Sequence, residues 1–269
     1  MKNYKSIITL NKNSRGIWDL DTTKGCGSGV ANDEKGCYGD CYAARSARIY
    51  GFNFSTTVLR DFENKKHEIQ LVNKINKIDM SFIRIGVMGD PSENWEHTFN
   101  ILEKIKRANK EIVIITKHWN IIPNEYLQKL FDLKVCINTS VSALDDIQQL
   151  EKVLFEYNRL KPYCKSFLRI VSCDFNLENE KGVLLSEIQK KLFKNDNTID
   201  TVFRCSPKNK FVLEGVINIK KTKFLGSPCW VSKFNKKAYF GKCSTCKEQC
   251  GIFNDKIRRF PSFVQGKLF

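Results

Sequence analysis

Residues 82–109 read FIRIGVMGDPSENWEHTFNILEKIKRAN, and this stretch contains the two kinds of element that decide the fold. Its first part, 82–87, is short, apolar and β-branched, which predicts a strand. From residue 92 onward, apolar side chains recur at helical spacing, which predicts a helix over 92–108 with one buried face. They are Trp95, Phe99, Leu102 and Ile105. Pro91 and Ser92 are typical of a helix start, and Asn109 of a helix end.

The same strand-then-helix pattern extends in both directions from this stretch. We predict strands at 6–10, 82–87, 111–116, 134–139, 166–171 and 198–204, and helices at 61–75, 92–108, 124–131, 143–159 and 177–193. Such alternation implies right-handed crossovers and a parallel sheet. The predicted fold class is therefore α/β, as a partial (β/α)6 TIM-like barrel, with an open doubly wound sheet as the alternative.

The alternation stops after residue 206, and the composition changes there. Residues 204–269 contain 15 Lys and Arg against 3 Asp and Glu, so +12 of the total charge of +16 lies in this last part of the 269-residue chain. We therefore predict two domains, a partial barrel over 1–206 and a basic, cysteine-rich extension over 207–269. A field of one sign attracts polyanions, so we expect an anionic substrate, with a nucleic acid or nucleotide ahead of a peptide.

Membrane and secretion signals are missing from the sequence. No segment approaches the roughly 20 apolar residues that span a bilayer, and residues 1–10 lack the apolar core of a secretion signal. We expect a soluble, cytoplasmic protein with no membrane partner. The 11 cysteines are an odd number and too few for a disulfide scaffold of this length. In a reducing compartment, grouped cysteines more often bind metal.

The first cysteine group lies in a glycine-rich loop, KGCGSGVANDEKGCYGDCYA over 24–43, with the spacing C-x10-C-x3-C. Its members are Cys26, Cys37 and Cys41. Thiolates select zinc, cuprous copper or iron-sulfur clusters, and a closed zinc site needs a fourth ligand that this loop does not supply. Three thiolates suit a 4Fe-4S cluster with one open iron, the alternative being three structural cysteines.

The second cysteine group has the spacing C-x13-C-x2-C-x3-C, from Cys229 through Cys243 and Cys246 to Cys250. Four thiolates form a complete set of ligands, and a hairpin over the 13-residue interval would return the first cysteine to the others. The spacing predicts a metal site that holds either a second 4Fe-4S cluster or zinc. Both choices stay open at the level of the sequence.

Polar residues follow the predicted strands, at the edge of a parallel sheet where a small ligand would meet several of them together. These residues include Gly89, Asp90, Lys117, His118, Thr139, Ser140, Ser172 and Cys173. Cys173 is a candidate hydrogen donor or substrate thiol, and His118 a candidate acid or base. The alternatives are that Cys173 packs in the core and that Asp90 caps the helix after it.

The end of the first cysteine loop, G-C-x3-C-Y-A over 36–43, resembles the cluster loops of radical S-adenosylmethionine (SAM) enzymes, and especially those of a phage-associated, radical-SAM-like family. Three further segments resemble that family in the same order. IRIGVMGD over 83–90 is similar to its strand ending in a Met-Ser-Asp turn, IITK over 114–117 to its LTKR strand, and SVS over 140–142 to its GVSVE segment. The resemblance covers about residues 20–145.

This resemblance implies that Cys26, Cys37 and Cys41 hold a 4Fe-4S cluster whose fourth iron binds SAM. Reduction, by a partner such as flavodoxin or ferredoxin, would then cleave SAM to a 5′-deoxyadenosyl radical. In the same reading Gly89 and Asp90 contact SAM, and Lys117 meets a carboxylate. The hydroxyls that would orient ribose or substrate are those of Thr139, Ser140 and Ser172.

The sequence thus predicts a radical SAM-type iron-sulfur enzyme that acts on an anionic substrate, with Lys117, His118 and Cys173 as candidate catalytic residues. A competing hypothesis comes from the same residues. In it, both cysteine groups are structural, and the chain is a non-enzymatic, metal-containing protein that binds nucleic acid.

Overall fold

The structure, a computed structural model, describes residues 5–31 and 33–252. The strands are β1 (Lys5–Ile7), β2 (Asn11–Lys12), β3 (Trp18–Asp19), β4 (Thr23–Lys24), β5 (Val58–Asp61), β6 (Phe82–Ile85), β7 (Glu111–Thr116), β8 (Val135–Val141), β9 (Lys165–Ser172), β10 (Asp174–Phe175), β11 (Thr198–Cys205), β12 (Ile217–Asn218), β13 (Lys220–Phe224) and β14 (Ser227–Ser232). The α-helices are α1 (Gly27–Val30), α2 (Tyr42–Ile49), α3 (Lys65–Asn76), α4 (Trp95–Ile105), α5 (Leu127–Asp132), α6 (Ile147–Leu160), α7 (Glu180–Leu192) and α8 (Lys210–Leu213).

Nine strands form the main sheet, in the order β13-β14-β11-β9-β8-β7-β6-β3-β2. Neighbours from β11 to β3 are parallel, while β14 and β13 on one side and β2 on the other are antiparallel. The predicted α/β class is confirmed as a mixed fold with a large, mostly parallel sheet. Within the described residues the sheet ends in two edge strands and forms no closed barrel, so the partial barrel stays a prediction.

Five of the six predicted strands of the parallel sheet lie where the sequence places them, as β6, β7, β8, β9 and β11. The strand predicted at 6–10 is different. It forms as β1 but pairs with β5 in a separate three-stranded sheet, β1-β5-β4. The two-residue β3 takes its place beside β6, where Asp19 pairs with Arg84. A segment of two residues is too short to show a strand period, so the sequence gives no signal for it.

The predicted helices exist, but capping side chains move their starts. The helix predicted over 92–108 is a 3-10 turn, Pro91–Glu93, followed by α4, because the Asn94 side chain accepts a hydrogen bond from the His97 amide at 2.9 Å. The helix predicted over 61–75 begins only at Lys65, since Asn64 caps it in the same way and residues 58–61 belong to β5.

The two faces of the main sheet have different partners because successive side chains of a strand point to opposite sides. On one face, isoleucines of β6, β7 and β8 pack beneath α3 and α4; they are Ile83, Ile85, Ile112, Ile114 and Ile137. On the other face, five residues at the amino-terminal part of the strands pack against segments that precede β3 or follow β14. They are Phe82, Val113, Cys136, Phe167 and Ile199, and their partners include Ile17, Cys243, Cys250 and Ile252.

Residues 220–232 of the predicted extension continue the main sheet. The β13-β14 hairpin adds to β11 through pairs such as Phe203 with Ser232, so the predicted boundary after residue 206 falls inside one continuous sheet. Cys229 lies in the second strand of this hairpin, whereas the sequence suggested a hairpin between Cys229 and Cys243. Residues 253–269 of the predicted extension lie outside the described residues. In the described part of the chain, no helix has both the length and the apolar character needed to cross a bilayer.

Candidate functional site

A cavity of about 1190 Å³ lies over the face of the main sheet opposite α3 and α4. Its wall includes the chain that follows β6 and the carboxyl-terminal parts of β7 and β11. Both predicted cysteine groups line it: Cys26, Cys37 and Cys41 from the first, and Cys229, Cys243, Cys246 and Cys250 from the second. We call residues 25–41 the cysteine loop and residues 239–252 the C-terminal cysteine segment.

Buried polar contacts attach the cysteine loop to the carboxyl end of β7. The Lys117 ammonium lies 2.6 Å from a carboxylate oxygen of Asp145 and donates to the Tyr38 hydroxyl, also at 2.6 Å. The Tyr38 hydroxyl in turn donates to Asp145 at 3.1 Å. Tyr38 has a φ of 59°, a left-handed conformation that is costly for a non-glycine residue and is held here by these contacts. Lys117 therefore fixes the backbone between Cys37 and Cys41.

A second set of contacts attaches the loop to the chain after β11. The Asp40 carboxylate accepts hydrogen bonds from the Ser206 amide and from the Asn209 side chain, both at 2.8 Å. The same Asn209 side chain donates to the carbonyl oxygen of Tyr38 at 2.7 Å. The loop is thus held at the carboxyl ends of two parallel strands, where sites in α/β proteins lie.

The start of the cysteine loop pairs with the turn after β6. Gly25 forms a parallel bridge with Gly89, and its amide donates to the Met88 carbonyl at 2.9 Å. The Asp21 carboxylate holds that turn by accepting from the amides of residues 86, 87 and 88 at 2.8–2.9 Å. Gly89, a predicted cofactor-binding residue, therefore lines the cavity beside Cys26.

Space beside the thiols is left open by glycines. A Cβ at Gly29 would stand 2.7 Å from the Cys26 sulfur and 3.6 Å from the Cys37 sulfur, and one at Gly36 would stand 3.5 Å from the Cys41 sulfur. Among the described residues, no three His, Cys, Asp or Glu side chains surround a single metal ion. A cubane cluster requires less convergence, because each thiolate binds a different iron. The donor set, the glycine cradle and the shared cavity fit such a cluster.

Burial makes these thiols weak acids. It raises the pKa of Cys37 to about 12, with partial relief from the Lys117 charge. Burial also raises the pKa values of Cys26 and Cys41, the former with a contribution from the Asp90 carboxylate. The thiols are thus protonated at neutral pH, and binding iron would displace their protons.

Asp90 lines the cavity, but its carboxylate is fully engaged within the protein. One oxygen accepts from the Ser92 amide at 2.9 Å, the Ser92 hydroxyl at 2.7 Å and the Thr116 hydroxyl at 2.6 Å. The other accepts from the Lys117 amide at 2.7 Å. Asp90 therefore joins the end of β6 to the end of β7 and caps the Pro91–Glu93 turn, the alternative that its sequence position already suggested.

The predicted hydroxyl residues divide between the two faces of the sheet. Ser140 lines the cavity, whereas Thr139 and Ser172 do not. The Thr139 hydroxyl contacts the His118 ring at 3.1 Å, and the Ser172 hydroxyl donates to Asp200 at 2.6 Å. The reason is strand alternation, which gives the cavity Ser140 and Val171 and directs their neighbours away from it.

His118 and Cys173 are likewise not among the described residues that line the cavity. The His118 ring is fully buried beside Trp95, with centroids 5.7 Å apart, and burial followed by the charges of Arg159 and Lys152 lowers its pKa to about 3. Cys173 packs with Phe175 and Phe203, and its backbone is bonded to the Gln189 side chain. Of the three candidate catalytic residues, Lys117 alone lines the cavity.

Several residues of the site have no sequence signal strong enough to find them. Glu93 accepts from the Cys26 thiol at 3.6 Å and from the Ser28 amide at 3.0 Å, so it orients the first cysteine. Asp21, Tyr38 and Asp145 hold loops by contacts between residues that are 65 to 107 positions apart. Of these residues, Tyr38 alone lies inside the cysteine motif G-C-Y-G-D-C, so the cysteine spacing points to it.

The C-terminal cysteine segment reaches the cavity from the amino-terminal side of the strands. Cys243 and Cys250 belong to the apolar cluster with Ile17 and Phe167. The Cys250 carbonyl accepts from the Asn138 side chain at 3.0 Å, and the Cys243 amide donates to the Arg15 carbonyl at 2.8 Å. Cys229 lies apart from them in β14, in a cluster with Val202 and Val231.

The fold and the site together define a mostly parallel α/β protein with a glycine-rich cysteine loop at the carboxyl ends of its strands. No protein-family model matches the sequence, and no curated protein does. Among solved structures, the chain is similar to a mutant of spore photoproduct lyase with bound AdoMet and dinucleoside spore photoproduct. The TM-score is 0.50, over 93% of this chain and 77% of that chain, at 11% sequence identity. At this level of identity the similarity shows the fold alone, a mixed α/β fold with a large, mostly parallel sheet.

Proposed function

We propose that this chain is a radical SAM-type iron-sulfur enzyme. The observation that carries the proposal is that Cys26, Cys37 and Cys41, chosen from the sequence alone, all line one cavity at the carboxyl ends of parallel strands. The fold around that cavity is similar to that of an enzyme solved with bound AdoMet. The kinship to a phage-associated, radical-SAM-like family is part of this proposal and rests on the short motifs alone.

The three cysteines would bind a 4Fe-4S cluster and leave one iron open to SAM. When bound and reduced, such a cluster supplies an electron that cleaves SAM to a 5′-deoxyadenosyl radical and methionine. The protein's own part is to hold the ligands in place. Lys117, Asp145 and Asp40 anchor the cysteine loop, and Glu93 holds the backbone after Cys26 by accepting a hydrogen bond from the Ser28 amide at 3.0 Å.

Of the residues that the sequence suggested for SAM, we propose Gly89 and Ser140 as its contacts, because both line the cavity. Asp90 and Lys117 line the same wall but are engaged with protein partners, so we propose them as positioning residues. A small reductase such as flavodoxin or ferredoxin would supply the electron. The substrate that we propose is anionic, a nucleic acid or nucleotide, supported by the basic charge of residues 204–269 and by the dinucleoside bound in the similar structure.

We assign no metal to the C-terminal cysteines in this proposal. Cys243 and Cys250 pack as apolar core residues, and Cys229 belongs to a different cluster. A second 4Fe-4S cluster or zinc at this group stays a prediction from the spacing of the sequence.

The test is anaerobic reconstitution with iron and sulfide, followed by counting of iron and sulfide and by an assay for 5′-deoxyadenosine after reduction with dithionite. We expect about four irons per chain at the cysteine loop and SAM cleavage that requires reduction. Cys37→Ala should lose the cluster and reduce cleavage by at least about 100-fold, since one ligand of three is gone.

The matched control is Cys164→Ala. Cys164 is half-buried, packs against the apolar cluster on the α3–α4 side of the sheet and donates its thiol to the Leu160 carbonyl at 3.7 Å, outside the cavity. This variant should keep iron content and cleavage near those of the unmodified protein. Zinc in place of iron, with no SAM cleavage under reduction, would reject the enzyme and favour the competing hypothesis of a nucleic-acid-binding protein with structural cysteines.

A further inference from the structure

Three arginines from three separate elements meet at the cavity. Arg15 follows β2, Arg45 lies in α2 and Arg204 lies in β11, and all three line the cavity wall. Arg15 and Arg204 approach the same aromatic ring, with guanidinium carbons 5.5 and 5.0 Å from the centre of Phe224. Burial, followed by the neighbouring charges of Arg15 and Arg45, lowers the pKa of Arg204. The Arg204 charge therefore lies close enough to those of Arg15 and Arg45 to be repelled by both.

Nothing in the described part of the chain neutralises this group. No carboxylate oxygen there lies within 4.0 Å of any of the three guanidinium groups. The nearby carboxylate of Asp40 is engaged with Ser206 and Asn209. Like charges that converge without a counter-ion cost free energy, and an anionic ligand would remove that cost.

The guanidinium groups also keep free hydrogen-bond donors. Arg15 uses one donor, its Nε, on the Gly241 carbonyl at 3.2 Å. Arg204 lies 5.4 Å from the centre of the Tyr42 ring and 5.0 Å from that of Phe224. Aromatic rings stabilise the charge of a guanidinium through its face but accept little from the N–H groups in its plane. Those in-plane donors suit the oxygens of a phosphate, which guanidinium groups bind in a bidentate manner.

We propose that Arg15, Arg45 and Arg204 form a phosphate-binding site that holds a nucleotide unit of the substrate at the cavity. Phe224 lies against Phe240, with ring centres 4.7 Å apart and the planes tilted by 34°, and this aromatic pair lines the cavity beside Arg15 and Arg204, where a base could stack. Two of the three arginines come from residues before 204. The site therefore differs from the lysine-rich C-terminal charge that the sequence had indicated.

The proposal rests on the proposed function, because only an enzyme has a substrate to bind at this cavity. Phosphate binding itself can be measured without any cluster or SAM. The probe is single-stranded hexadeoxythymidylate labelled with fluorescein, and its binding to the full-length protein is followed by fluorescence anisotropy over a range of salt concentrations. Arg45→Ala is the main variant, because Arg45 is exposed on α2 and its loss should leave the fold intact. Arg15→Ala and Arg204→Lys accompany it, and Arg107→Ala, an exposed arginine away from the cavity, is the control of equal charge change.

We expect Arg15→Ala and Arg45→Ala each to weaken binding by about tenfold and to lower the salt slope by about one, whereas Arg107→Ala changes the affinity by less than about twofold. Arg204→Lys keeps the charge but loses the planar donors, so it should also weaken binding. Competition by thymidine 5′-monophosphate at concentrations similar to the unlabelled hexanucleotide would identify a free nucleotide as the ligand, and competition by the strand alone would identify a nucleic acid. Equal effects of Arg15→Ala, Arg45→Ala and Arg107→Ala would overturn the site, whatever the outcome of the SAM-cleavage assay.

Discussion

The cysteine loop and the C-terminal cysteine segment present the same residue type to the same cavity, yet they are held by opposite kinds of interaction. The loop is anchored by charged and polar groups, Lys117 with Asp145 and Asp40 with Asn209. The C-terminal cysteine segment is anchored mainly by apolar contacts to Phe167 and Ile17, supplemented by backbone hydrogen bonds to Asn138 and Arg15. Two of its thiols, those of Cys243 and Cys250, pack in an apolar cluster at the edge of the cavity, whereas the thiols of the loop stand beside open space that glycines leave.

This difference separates two meanings of a cysteine motif. Regular spacing shows that thiols can meet, but the surroundings decide whether they are ligands or packing residues. A loop held by buried charges keeps its cysteines in place without filling the space between them. A segment held by packing fills that space with its own side chains. We therefore expect the two regions to respond differently when their anchors are removed.

The largest effect should come from Lys117→Met, which tests the polar anchor of the cysteine loop. The substitution leaves the Asp145 carboxylate, with only 5% of its side chain exposed, without its counter-ion. Breaking a buried pair by removing one partner costs about 3–5 kcal/mol, so the free energy of unfolding in urea should fall by about that amount. Iron incorporation should fall as well, because Tyr38 loses the ammonium group that positions it.

The control for this variant is Lys104→Met. Lys104 pairs with Asp61 at 3.0 Å, but the two side chains are 32% and 22% exposed, so the loss should stay within about 1 kcal/mol. The double variant Lys117→Met with Asp145→Asn removes the unpaired charge and should regain part of the stability. If Lys117→Met and Lys104→Met cost the same, the polar anchor is not what holds the loop.

Gly251→Ala tests the apolar anchor of the C-terminal cysteine segment and should have the next largest effect. Gly251 has a φ of +88°, and an added Cβ would lie 2.3 Å from a ring carbon of the buried Phe167. We expect a loss of about 2–4 kcal/mol in the free energy of unfolding, from the clash and the backbone strain together. The iron content of the protein that remains folded should not change.

Gly226→Ala separates the two contributions. Gly226 has a similar φ of +86°, but an added Cβ there meets nothing within 4 Å. Its cost should therefore be the backbone strain alone, about 1 kcal/mol. Equal losses for the two variants would mean that Phe167 moves aside freely and that the segment is not packed against it.

The sequence predicted the parallel sheet well because the strands β6, β7, β8, β9 and β11 are long and apolar enough to be recognised. It also singled out the first cysteine group, since glycines and cysteines within 17 residues form a local signal, and the structure places these cysteines on the cavity wall. The face of the sheet on which each hydroxyl lies was harder to predict. Thr139 and Ser140 are neighbours at a strand end, and only the register of β8 against β7 and β9 decides which one faces the cavity.

Contacts between distant residues were beyond the reach of the sequence. The role of Lys117 depends on Asp145, which is 28 positions away, and on Tyr38, which is 79 positions away. The packing of Cys250 depends on Asn138, 112 positions away. No spacing rule links such pairs, because the loops between them have no fixed geometry. The same holds for Arg15, Arg45 and Arg204, which the fold alone brings to one cavity.

The smallest expected effect, that of Cys250→Ala, discriminates most sharply between packing and metal binding. Cys250 is 9% exposed, its sulfur lies 4.0 Å from an Arg169 nitrogen, and its cluster is apolar. Loss of one buried sulfur should cost about 1 kcal/mol of the free energy of unfolding, since the cavity left behind is small. Iron and zinc per chain, measured by plasma mass spectrometry after reconstitution, should equal those of Cys164→Ala.

If the C-terminal group instead binds a metal, the same substitution removes it and costs far more stability, because metal binding is then part of the folding free energy. A drop in bound metal with the cysteine loop intact would therefore show that the two regions are alike after all.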